Sequence, residues 1–96
     1  MATGARQPEL ALPGAELISK GIADLRRGIE SNESLLVSIG APRLQRLGLD
    51  LRSPIQSPEH RLYERLAEED ADSAHSRYNA LVRRLVSFER AAECVS

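Results

Sequence analysis

The side chains of this chain that could do chemistry are two histidines, one cysteine and a set of arginines. His60 and Glu64 stand four residues apart, a spacing that puts an imidazole and a carboxylate on one helix face, within reach of proton transfer. The same spacing is ordinary on solvated helices, and the pair reads first as a surface contact. His75 follows Asp72 by three residues, which suits a helix start better than a site. The histidines are far apart and neither has a cysteine neighbour, so the three or four ligands of a zinc site are not assembled. No metal and no cofactor are expected. Cys94, near the end of a helical pattern, lacks surroundings that would lower its pKa and is expected to be packed or inert. A lone cysteine makes no intramolecular disulfide, which fits a reducing, cytoplasmic setting. A Gly-rich phosphate loop, a Gly-x-Ser-x-Gly elbow and paired cysteines are all missing, so the chain is not expected to be an enzyme.

Lys20 is the only lysine among 13 basic residues. Arginine grips carboxylate or phosphate with two parallel bonds where lysine makes one, although a GC-rich gene produces the same bias. Arg43 and Arg46 lie in a short helical stretch after Gly40, and another short stretch precedes that glycine. Residues 35–47 therefore have a weak helix-turn-helix outline, with the two arginines where a major groove would be read. Gly48 stops the second stretch after barely two turns, and corners of this kind are common in helical domains. Arg83 and Arg90 share one face of the last helical pattern, while Arg77 and Arg84 flank the other side. Spread in this way they suit pairing with the acidic segment Glu68 to Asp72, within one molecule or between two, better than a phosphate backbone. A net charge of −1 gives no overall pull towards nucleic acid or anionic lipid, and aromatics at 3% supply no stacking platform. Glu89 is the awkward residue. It falls at the rim of an apolar stripe, where it should either reach water or find an arginine or the Tyr78 hydroxyl.

These side chains need helices to hold them. The 96 residues, 42% hydrophobic and 28% charged, are enough for one domain. Residues 1–12 are expected to be a loose tail, with Leu10 and Leu12 able to tack onto the body, and 13–96 a single helical domain. Met1 to Pro13 has no signal-peptide core, and no stretch reaches the ~20 apolar residues of a membrane span. Ile18, Ile22, Leu25 and Ile29 recur at helical spacing, predicting a first helix from about Gly14 to Ser31, with a continuous run to Ile39 as the alternative. Gly21 and Gly28 beside that stripe are expected to admit another backbone. Pro42 opens and Gly48 closes a short turn. Ser57, as a capping hydroxyl, and Pro58 start a helix that runs to about Glu69. Asp72 or Ser73 caps the last and longest helix, whose stripe runs from Ala74 through Tyr78, Leu81, Leu85 and Phe88 to Val95.

The expected fold is all-α, a small four- or five-helix bundle with the long C-terminal helix packed on the first. Val82 and Val86 widen the apolar stripe of that last helix beyond a single seam. With Arg83, Glu89 and Arg90 around them they form the expected interaction surface for a protein partner, a second copy or a larger complex. The alternative is a small DNA-associated regulator or antitoxin-like partner that contacts nucleic acid through Arg43 and Arg46.

Overall fold

The structure, a computed structural model, describes residues 12–95. It is all-α among those residues, with five helices: α1 (Ala15–Arg26), α2 (Asn32–Ile39), α3 (Ala41–Arg46), α4 (Pro58–Glu69) and α5 (Ala74–Val95). Leu12 packs against the core and its carbonyl accepts from the Ala15 N–H, while Leu10 and the rest of the expected tail lie outside the described residues.

The first helix is shorter than its periodicity predicts. Arg27 ends it, Gly28 takes the left-handed conformation at φ 71°, and the N–H groups of Gly28 and Ile29 bond back to the carbonyls of Leu25 and Asp24. That pair of bonds is the Schellman stop, which a residue without Cβ accepts most readily. Ile29 continues the stripe by spacing alone and is exposed. A new helix then starts under its own cap: the Ser31 hydroxyl accepts from the Ser34 N–H at 3.0 Å while the Ser34 hydroxyl accepts from the Ser31 N–H at 2.7 Å. The Ser31 hydroxyl also donates to Asp24 at 2.6 Å, and Lys20 donates to the same carboxylate at 2.8 Å. One bonded chain, Lys20 to Asp24 to Ser31 to Ser34, thus fastens the end of α1 to the start of α2. It also accounts for the buried Asp24, whose pKa lies below the usual carboxylate range because Lys20 and then Ser31 donate to its charged form.

The centre of the molecule is α2 rather than the long last helix. Leu35, Leu36 and Val37 are fully buried, as is Ser34. A helix covered on all sides is apolar all round, which is how Leu35-Leu36-Val37 reads once burial is known. Helix α1 covers one side, with Gly21 at the crossing: a Cβ there would stand 2.7 Å from Val37 Cγ1 and closer still to the Glu33 carbonyl oxygen. Close backbone approach is thus the reason for Gly21, whereas a Cβ on Gly28 would meet nothing. Helix α4 covers another side through Leu62 and Leu66, with Arg65 donating to Asn32 at 3.0 Å. Arg61 grips Glu30 with two bonds of 2.8 and 2.6 Å, fastening α4 to the loop before α2.

Helix α3 ends on a second Schellman stop, with Gly48 at φ 97° bonding Gln45 and Leu49 bonding Leu44. The following loop is pinned by the buried Ser38, whose hydroxyl donates to the Ser34 carbonyl and accepts from the Ile55 N–H. Pro58 starts α4 as predicted, but Ser57 sits in the left-handed region at φ 49° and its hydroxyl makes no capping bond. Helix α5 packs chiefly along α4 and α2. It meets α1 at one end, where a Gly14 Cβ would stand 3.0 Å from the Arg84 carbonyl oxygen and 3.8 Å from the Phe88 Cβ. Of the Arg side chains expected to reach the acidic segment, Arg77 does so, bonding Glu69 at 2.8 Å.

Candidate interaction site

The corner between α2 and α3 lies against α5, and the glycine in that corner sets the distance. A Cβ on Gly40 would stand 2.7 Å from Glu89 Oε2 and 3.0 Å from Leu85 Cδ1. Beside this contact is an open depression of about 320 Å³, lined by Ile39, Pro42, Arg43 and Arg46 on one wall and Val82, Val86 and Glu89 on the other. The residues singled out in the sequence as two separate candidates are therefore neighbours: Val82, Val86 and Glu89 face Arg43 and Arg46 across one groove. Arg83 and Arg90 do not line it; both are exposed.

Glu89 is buried, at 4% exposure, and does not reach water from a rim. Its partner is Arg43, whose Nη1 lies 3.3 Å from Glu89 Oε1, and not Tyr78. Arg43 is held more tightly by Glu93, one turn further along α5: its Nε and Nη2 donate to the two oxygens at 2.8 and 2.7 Å. Sequence reasoning missed Glu93, although Glu89 and Glu93 at i, i+4 present two carboxylates on one helix face. The bonds from Arg43 hold Glu93 below the usual carboxylate range. Burial acts the other way on Glu89 and raises its pKa, with nearby Glu93 adding to the rise and Arg43 opposing it.

These opposite shifts give a prediction. A carboxyl with a raised folded-state pKa favours the folded state when protonated, so its contribution is fully present below the ordinary value of 4.5 and is lost as pH rises through the raised value. Glu93 contributes in the opposite sense, above its unfolded value, and loses its contribution as pH falls. Glu89→Gln keeps an acceptor for Arg43 but removes the buried charge. The variant should be about as stable as the wild type in acid and should gain on it as pH rises through the raised Glu89 pKa. Urea unfolding of both proteins across this range checks it; a Glu89→Gln protein less stable at pH 7 would mean that Glu89 is held mainly by its charge.

The other chemically suggestive residues stay apart. His60 and Glu64 pair at 3.0 Å on an exposed face of α4, and His75 lies across the α4–α5 turn with its ring 6.4 Å from that of Tyr63. Cys94 is exposed, not packed. Among the described residues no group of three or more metal-ligating side chains converges, and no helix is long and apolar enough to cross a membrane. Compared with protein-family models, with curated proteins and with solved structures, the chain matches none.

Proposed function

We propose that this chain is a protein interaction module, acting as a homo-oligomer or as an accessory subunit of a larger complex, and that it engages its partner through the groove between α3 and α5. The observation that carries this reading is the state of the groove's charges. Arg43 bridges Glu89 and Glu93, while Val82 and Val86 remain only half-buried beside them. A partner can cover the valines while Arg43 stays bonded to both carboxylates, so the buried Glu89 keeps its cation in a desolvated centre. The single cysteine supports a cytoplasmic setting. No catalytic role is proposed for His60 and Glu64, which form an ordinary i, i+4 pair in solvent.

Nucleic-acid binding through Arg43 and Arg46 has less support, because Arg43 would have to leave a two-bond contact with Glu93 to reach a phosphate or a base. A photo-reactive residue in place of Arg46 tests both readings in the native cell. A protein adduct that disappears with Val86→Glu, in a variant with unchanged helix content, is the expected result. An adduct indifferent to Val86→Glu, or one to nucleic acid, would overturn the proposal.

A further inference from the structure

Both tyrosines of the chain stand where α4 meets α5. Tyr63 on α4 packs against Tyr78 and His75 on α5, with ring centroids 5.7 and 6.4 Å apart and planes tilted by 54° and 59°. Aromatic rings favour such tilted contacts, so each ring helps to fix the next. The cluster is nevertheless open to solvent: Tyr63 is 39% exposed, and neither tyrosine hydroxyl has a hydrogen-bond partner among the described residues. Glu59 adjoins both rings. It stands one turn before Tyr63 on the same face of α4, and across the helix contact its charge adds to burial in raising the pKa of the Tyr78 hydroxyl. Its carboxylate is exposed and has no ion pair among the described residues. The arginines of α4 are engaged on its other side, Arg61 with Glu30 and Arg65 with Asn32, and His60 pairs with a second carboxylate, Glu64.

We propose that this ring cluster, with Glu59 at its edge, is a second binding site, which takes the guanidinium of an arginine in a basic segment of a protein partner. A cation is drawn to the face of an aromatic ring, and a planar guanidinium can lie on that face while its N–H groups fork onto a carboxylate beside it. Lysine, a compact and strongly hydrated charge, makes the first contact without the fork. Tyrosine suits the role because its ring gives a large contact area for few torsions lost, and Tyr63 is already held by its two neighbours. An acidic segment or a phosphate backbone would instead meet Glu59 and Glu64 and be repelled. The site does not depend on the groove between α3 and α5, since none of Glu59, Tyr63, His75 and Tyr78 lines it.

The chain has no tryptophan and its two tyrosines are both in the cluster, so intrinsic fluorescence reads the site directly. The full chain is titrated with a blocked peptide of alternating glycine and arginine, and with lysine and glutamate peptides of the same length. The expected result is a saturable change with the arginine peptide, a weaker one with lysine and none with glutamate. Tyr63→Leu should weaken binding of the arginine peptide about tenfold and Glu59→Gln several-fold, while Val86→Glu, which alters the groove, should leave it unchanged. Circular dichroism of each variant separates loss of the site from loss of the helices. Absence of a saturable change, or a folded Tyr63→Leu protein that binds as tightly as the wild type, overturns the site. A lysine peptide that binds equally well overturns the guanidinium as its ligand. Neither result bears on the groove, which has its own cross-linking test.

Discussion

Gly21→Ala is expected to destabilise the protein by about 2–4 kcal/mol, more than any other single methyl group added to it. The new Cβ would meet the Glu33 carbonyl oxygen and Val37 Cγ1 where α1 crosses α2, and the carbonyl cannot swing aside without opening the first turn of α2. Alanine's better helix propensity returns at most ~1 kcal/mol. For a domain of this size such a loss lowers the melting temperature by roughly 10–25 °C. Gly28→Ala is the matched control. Its Cβ has open space, so it tests only the left-handed backbone and should cost about 1 kcal/mol. Thermal and urea unfolding followed by circular dichroism would measure both. If the two variants lose the same amount, the crossing is not the tight contact described above.

Leu36→Ala is expected to cost about 2–5 kcal/mol, a large share of the whole stability of a domain this small. Leu36 is fully buried on a helix that α1, α3, α4 and α5 all contact, so no neighbour can relax into the space without disturbing the others. The same truncation at Leu49, only partly buried after the α3 stop, should cost far less. Equilibrium urea unfolding reads the difference. Similar losses at both positions would show that α2 is not the mechanical centre.

The boundaries that were legible in the sequence are those written in special backbone chemistry. Pro42, Gly48 and Pro58 marked their helix ends, and the apolar stripe of α5 marked the longest helix. At Gly28 the stop was missed: Ile29 continues the stripe of Ile18, Ile22 and Leu25 and the glycine is expected to admit another backbone, whereas its left-handed turn ends α1 and Ser31 caps a new helix. The backbone chemistry prevailed, because the stop and the cap satisfy N–H and carbonyl groups that one exposed isoleucine cannot offset. The central place of α2 was not legible, since eight residues are too few for a clear amphipathic period and its surroundings come from four other helices. At the groove, the oddness of Glu89 could be read from its position on the stripe. Its pairing with Arg43, 46 residues away in the chain, is a product of the fold.

The burial of α2 also bears on the order in which the chain can fold. Its contacts with α1 and α3 join neighbours in sequence and need only short loops to close, so this N-terminal half can collapse early. It cannot finish alone, because Leu62 and Leu66 of α4 form part of its covering. On the ribosome, therefore, an emerging chain would carry an unfinished apolar centre until α4 had left the exit tunnel, and that interval is when the protein is most open to aggregation or to a chaperone.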